Sequence, residues 1–349
     1  HLEHRRQRQM CIRDRCKWFA KKIGFNDSSG GIAASGGTLS NLNALIAARN
    51  NAGLGSNPNS VLLISEDAHS SFIKCIRIMG LDAANLVRIK TDNQGRMDIN
   101  NLRKSLNKCL IENKKIFAIV ATLGTTVRGA IDPIKEISEI CKERNIWLHI
   151  DGSIGGIFAL SSIQIEGLNN INQANSITIN PQKIIGITKT SSLLLVANMN
   201  TLQKTFSTGL PYISSKEDIV NRGEIGIQGS RPAEVIKLWL GLRFLGLNGI
   251  EDILKSSIKR KDFFIDHIVK NKFEIYSGPL HIVSFIPKGL TAKDTDFWTH
   301  SKVNELMKNN YMLSRPKFKG KYYLRVVMGN YNTKDSHIEE LLRFLDAYQ

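Results

Sequence analysis

Six short apolar runs, each bounded by polar or glycine-rich sequence, punctuate the chain from residue 61 to residue 197: VLLIS at Val61–Ser65, LVRIK at Leu86–Lys90, IFAIVAT at Ile116–Thr122, WLHID at Trp147–Asp151, SITI at Ser176–Ile179 and SSLLLVA at Ser191–Ala197. Runs this short and this apolar are what a strand buried on both faces requires. Between them the apolar residues recur at helical spacing, as in Leu42, Leu45, Ile46 and Ala48, then Phe72, Ile76 and Met79, then a helix capped by Asp98 and another from Pro133 to Arg144. Strand, loop and helix repeat four times in succession. Parallel neighbours need a crossover helix, so the pattern predicts an α/β domain with a mostly parallel, doubly wound sheet.

The pattern then changes. A short helix is expected over Met199–Thr208, a polar loop over Gly209–Gly226, and helices from Pro232 to Leu245 and from Ile250 to Val269. From Phe273 onward short strands (Phe273–Tyr276, His281–Ile286, Tyr322–Val327) alternate with isolated helices (Asp294–Asn309, Thr333–Ala347). The division predicted is a large domain over residues 17–245 and a smaller α+β domain over 246–349. Residues 1–16, HLEHRRQRQMCIRDRC, lack apolar periodicity and differ in composition from the rest of the chain, so they are read as non-native sequence outside the fold.

Open α/β sheets bind ligands at the C-terminal ends of their strands, and the polar residues of this chain gather there. The run WLHID delivers Asp151, and SITINPQK delivers Lys183. A lysine that can form a Schiff base and a carboxylate that can face a pyridinium nitrogen are the two groups that a pyridoxal phosphate enzyme requires. Upstream, Ser35, Gly36, Gly37 and Thr38 open a helix. Helix N-termini favour anions, so these residues could cradle a phosphate, or form a glycine turn with a threonine cap. His69 stands at a strand-to-helix junction, where it could lie against an aromatic cofactor or serve as a cap. The loop LGTTVRGAIDP after Thr122 falls on the same edge.

Composition narrows the class. An apolar content of 42% over 349 residues supports an ordinary core, and no apolar run approaches the roughly 20 residues that span a bilayer. Five cysteines without paired metal spacing point to reduced thiols in a cytoplasmic protein, with neither disulfides nor zinc. The net charge of +17 admits an acidic partner such as nucleic acid. The basic residues are scattered, however, and no RNA-binding aromatic motif interleaves them, so a solvated basic surface is the expectation.

Taken together, SGGTLSNL, DAHSS, LGTTVRGAIDP, WLHIDGSIGG and NPQK occur in the order and approximate spacing of the group II pyridoxal-phosphate-dependent amino acid decarboxylases, which the chain resembles from Gly30 to the C-terminus. The resemblance implies the aspartate-aminotransferase-like fold type I, a pyridoxal 5'-phosphate cofactor, and conversion of an L-amino acid to its amine and carbon dioxide. It implies that Lys183 carries the cofactor, that Asp151 keeps the pyridine nitrogen protonated, and that His69 stacks on the ring. Ser35, Gly36, Thr38 and Asn180 would bind the phosphate or lie beside it, with Thr126, Ser153 and Gln182 around the pocket. Gln182 replaces the family's usual histidine, and Gly152 and Ser153 stand where the family has two alanines. In the mobile loop Tyr212 is the candidate for returning a proton to the substrate carbon. Should Tyr212 not fill that role, aldehyde-forming deamination or another fold type I reaction such as aminotransfer is the alternative. The resemblance also implies a homodimer. Arg231 and the basic balance permit an acidic substrate, although an arginine beside a proline-initiated helix is more often structural.

Overall fold

The computed structural model describes residues 15–189, 191–209, 222–231 and 234–346. A helix, α1, covers residues 15–22, and then β1 (Gly30–Ala34), α2 (Gly37–Asn51), β2 (Ser60–Ser65), α3 (Ser71–Ile78), β3 (Leu86–Ile89), α4 (Ile99–Ile111), β4 (Lys115–Thr122), α5 (Ile134–Glu143), β5 (Trp147–Gly152), β6 (Ser176–Ile179), β7 (Ser192–Val196) and α6 (Met199–Phe206) build the larger layer structure. The seven strands lie in the order β1-β7-β6-β5-β4-β2-β3. β3, β2, β4, β5 and β6 run parallel, as the repeated crossovers require, whereas β7 is antiparallel to β6 and β1 is antiparallel to β7.

Every residue of β2, β5, β6 and β7 is buried. Helices on both faces cause this. On one face α4 and α5 contribute Leu102, Leu106, Ile134, Ile137 and Ile140 to the largest core, which also takes Cys16 and Phe19 from α1. On the other face α2 and α3 pack Leu42, Leu45, Phe72 and Ile76 on Leu62, Ile64 and Val120. Each such side chain, fully buried, contributes about 1.5–3 kcal/mol. α1 straddles the boundary drawn at residue 16, and Cys16 is wholly buried.

The strand β1 has no counterpart among the apolar runs. Residues 30–34 read GGIAA, and the glycines suggest only a loop. They are needed because β1 lies so close to β7 that a Cβ on Gly31 would stand 2.2 Å from the Leu194 carbonyl oxygen. β1 ends where α2 begins and so fixes the position of that helix's N-terminus.

After α6, α7 (Glu234–His267) is broken at Gly246, whose φ of 62° and ψ of 178° no helix accommodates. Beyond it lie β8 (Phe273–Ser277), β9 (Ile282–Pro287), α8 (Ala292–Lys308), β10 (Lys317–Phe318), β11 (Lys321–Tyr322), β12 (Leu324–Val327) and α9 (Asp335–Asp346). The sheet β12-β9-β8 is antiparallel. Its own core joins Phe264, Phe273, Phe285, Trp298, Leu324 and Leu341. Ile250 and Leu254, in the second half of α7, pack instead with the larger core.

Candidate active site

The C-terminal ends of β4, β5 and β6 and the N-termini of α2 and α3 surround a cavity of about 180 Å³. Of the residues expected at the site, Thr38, His69, Thr126, Asp151, Ser153, Asn180 and Lys183 line it, and Gly37, Asn41, Ser71 and Thr122 join them. Ser35, Gly36 and Gln182 are not among its walls. Ser35 is exposed and Gly36 occupies the N-cap position of α2. The Gln182 side-chain oxygen accepts from the Ser191 main-chain N–H, tying the turn after β6 to the start of β7. Tyr212 lies outside the described residues.

Asp151 is 5% exposed. It is the last residue but one of β5, in register with Thr178 of β6. Its Oδ1 accepts from the Ser153 N–H at 3.1 Å and its Oδ2 from Asn41 Nδ2 at 3.1 Å. Lys183 follows β6 in a single 3-10 turn, Pro181–Lys183. Its side chain opens to solvent through the cavity while protein crowds it on the remaining sides. Burial lowers its pKa from the ordinary lysine value; the Asp151 charge opposes this and the Arg325 charge adds to it. A lysine so placed gives up its proton more readily than one in water, which makes its nitrogen available to an aldehyde.

His69 fulfils the capping reading, its Nδ1 accepting the Ser71 N–H at 3.2 Å at the first turn of α3, and it is also one of the residues that line the cavity. With Nδ1 accepting, the ring proton sits on Nε2. Burial is the chief cause that lowers its pKa, with Asp151 opposing and Lys183 and Lys74 assisting. Cys75, beneath Thr38, is pushed up to about 12 by burial and then by Asp151, and stays a thiol.

No side chain caps α2, a 15-residue helix whose N-terminal residues Gly37 and Thr38 line the cavity. A Cβ on Gly37 would come within 2.8 Å of both Asn180 Nδ2 and Ser153 Oγ. Bare glycine therefore keeps a concavity there. The Ser192 hydroxyl donates to Asn180 Oδ1, which leaves the Asn180 amide nitrogen turned toward Gly37. A helix terminus with an added N–H donor suits an anion. The hydroxyls of Ser71 and Thr122 in the cavity wall are buried with no hydrogen-bond partner among the described residues. An uncapped helix terminus, a buried carboxylate and a lysine share this cavity, and they are groups of the kinds that the phosphate, ring nitrogen and aldehyde of pyridoxal phosphate call for.

Residues in the loop after β4 complete one side. Arg128 pairs with Asp67 at 3.4 Å, with both side chains buried, and its guanidinium lies over Tyr276 and Phe318. That anchors the segment carrying Thr126. The Thr126 carbonyl in turn accepts from Arg325 Nη1, while Arg325 Nε donates to Ser314 Oγ at 2.7 Å. Arg325, from β12 of the small sheet, thereby lines a neighbouring pocket whose walls also include His69 and Thr126. Sequence patterning does not single it out, and neither does it single out Asn41.

Comparison with known proteins decides the family. The pattern of the pyridoxal-dependent decarboxylase conserved domain matches residues 10–286. The chain belongs to the pyridoxal-dependent decarboxylase family. It is 31% identical over 340 residues to an aromatic-L-amino-acid decarboxylase of Bacillus atrophaeus, an alignment spanning 95% of this chain and 71% of the other. It is 30% identical over 348 residues to an L-aspartate decarboxylase of Metarhizium robertsii, covering 94% of this chain and 69% of that one. The crystal structure of mouse CSAD superposes with a TM-score of 0.90 at 24% identity, over 97% of this chain and 75% of that one, and shares the fold. The fold is type I, the cofactor is pyridoxal phosphate, and the reaction is the decarboxylation of an amino acid. Among the described residues no helix is long and apolar enough to cross a membrane.

Proposed function

We propose that this decarboxylase holds its cofactor between Asp151 and the N-terminus of α2 and carries it on Lys183. The single observation behind the assignment is the shared cavity, which brings bare Gly37, His69, Asp151 and the Asn180–Lys183 turn together from four separate places in the sequence. When bound, the pyridinium ring supplies the sink for the electron pair that carbon dioxide leaves behind. The side chains do the rest. Asp151, buried and held by Asn41 and the Ser153 N–H, would face the ring nitrogen and keep a proton on it. Asn180 and the first turn of α2 hold the phosphate, and His69 and Thr126 confine the ring and exclude water. Arg325 orients a substrate carboxylate, because two of its nitrogens are engaged by Thr126 and Ser314 and Nη2 is not taken by either bond. A carboxylate held with its bond to carbon perpendicular to the ring is the one that breaks. We assign the return of a proton to that carbon to Tyr212, from its place in the polar loop alone.

Borohydride reduction of the cofactor-bound protein, followed by peptide mapping, should find a pyridoxyl group on Lys183, and Lys183→Ala should remove it. Label at another lysine would overturn the site. A panel of amino acids should yield carbon dioxide and amine; aldehyde with ammonia instead of amine would overturn the proton return to carbon.

Assembly as a homodimer is supported by the first half of α7. Leu238 and Leu242 face inward, while Ile236, Leu240 and Phe244, at four-residue spacing, are 40%, 54% and 89% exposed on the outer face. A second copy of the chain is the occupant that fits so apolar a stripe. A cytoplasmic location is supported by Cys16, Cys75, Cys109 and Cys141, which are free thiols. A division into domains at residues 245 and 246 is supported by the break in α7 at Gly246.

A further inference from the structure

A line of buried polar groups runs behind Asp151, away from the cavity. Trp147 Nε1 lies 2.9 Å from Ser176 Oγ, which lies 2.8 Å from His149 Nδ1. On the other side of the ring His149 Nε2 lies 3.1 Å from Asn41 Oδ1, and Asn41 Nδ2 lies 3.1 Å from Asp151 Oδ2. None of the five residues is more than 7% exposed. β5 supplies Trp147, His149 and Asp151, β6 supplies Ser176, and α2 supplies Asn41.

The two ends of this line fix its direction. An indole N–H can only donate and a carboxylate can only accept. The carboxylate demands the amide nitrogen of Asn41, which turns Asn41 Oδ1 toward His149 and obliges Nε2 to carry the ring proton. A neutral ring with that proton leaves Nδ1 as an acceptor for the Ser176 hydroxyl, whose oxygen in turn accepts the Trp147 N–H. Burial keeps the ring neutral, pushing its pKa down to about 4 against the opposing Asp151 charge and the main chain at Ser176. Each donor therefore points toward Asp151, and bonds aligned in this way polarise one another.

We propose that Trp147, Ser176, His149 and Asn41 form a one-way hydrogen-bond relay that holds the Asp151 carboxylate in a single orientation for the cofactor's ring nitrogen. The inference rests on the reading that Asp151 meets that nitrogen. Ser176, His149 and Asn41 are positioning residues that act through Asp151. None of them needs to ionise for the relay to operate.

The direction of the relay is testable in the wild-type protein without cofactor. Nitrogen NMR of labelled histidine at neutral pH should show His149 neutral and protonated on Nε2; protonation on Nδ1 would overturn the relay. With cofactor, Asn41→Ala removes the side chain that donates to Oδ2 and should weaken cofactor binding about tenfold. It should also deplete the visible band of the bound cofactor. His149→Phe should deplete the same band, and His149→Gln, which keeps an N–H for Asn41, should restore it. Wild-type spectra and cofactor affinity in both Asn41→Ala and His149→Phe would overturn the proposal. Borohydride labelling of Lys183 separates the two readings, since a failure of labelling in the wild-type protein refutes the site and leaves the tautomer of His149 unchanged.

Discussion

A methyl group on residue 152 would have nowhere to go. A Cβ there would stand 2.8 Å from the Thr178 carbonyl oxygen and 3.2 Å from the Gly156 Cα, both of them backbone atoms that cannot swing aside. Gly152→Ala, the residue usual in the family, should therefore destabilise this chain by about 1–3 kcal/mol, read as a lower urea midpoint at unchanged slope. An unchanged midpoint would mean that β5 and β6 part without cost. At this scale much of the site is legible in the sequence. Asp151 closes an apolar run, and Lys183, His69, Thr126, Ser153 and Asn180 each fall within four residues after one; such runs are strands whose ends meet. Asn41 and Arg325 are not legible. Asn41 sits in the second turn of α2 among leucines, and Arg325 comes from a strand of the other sheet, so only tertiary packing brings either one to Asp151 or Thr126. Gln182 is legible as a neighbour of Lys183, but not in its direction, because a 3-10 turn points consecutive side chains to different sides and sends this one to Ser191.

Among the elements, the strands β2 to β7 can be read from apolar runs alone. β1 escapes such a reading because close approach to β7 selects small residues, which erase the very pattern by which a strand is recognised. The split of α7 is visible as two helices, since Gly246 interrupts the apolar spacing. Its first half carries the outward stripe of Ile236, Leu240 and Phe244. Phe244→Glu places a charge at the most exposed of these positions. It should convert a dimer to a monomer in sedimentation equilibrium without unfolding the chain, because Phe244 contributes little to the packing of its own subunit. A dimer that survives this change would place the interface elsewhere.

For the molecule as a whole, buried titratable groups set the response to acid. His149 and His281 are both pushed down to about 4, chiefly by burial, and Asp132 is pushed up to about 7 by burial against its hydrogen bonds from the Thr122 and Met97 N–H groups. Between pH 6.5 and 4 the unfolded chain takes up protons at the two histidines and the native protein does not, so each loses about 3 kcal/mol of stability as the pH falls. Asp132 works in the opposite sense, since the native protein keeps a proton there that the unfolded chain releases, and it offsets about one histidine. A net loss of about 3 kcal/mol across this window is expected from urea midpoints at the two pH values. His281→Phe, which replaces a ring stacked on Phe158 and lacking a partner for Nδ1 among the described residues, should remove most of that slope. A slope that persists in the variant would assign acid sensitivity to other groups.

The pairing of β1 with β7 also bears on the order of assembly. Gly30 opens the first strand of the sheet, yet its partner, Val196, comes 166 positions later. Contacts between residues so distant in sequence carry a high loop-closure cost and form slowly. As the chain emerges from the ribosome, β2 to β6 can pair with one another as each appears, but α2 has no fixed starting point until β7 arrives to receive β1. The anion cradle proposed at Gly37 is thus encoded early and completed late, which would make cofactor capture an event that comes after synthesis of nearly the whole larger sheet.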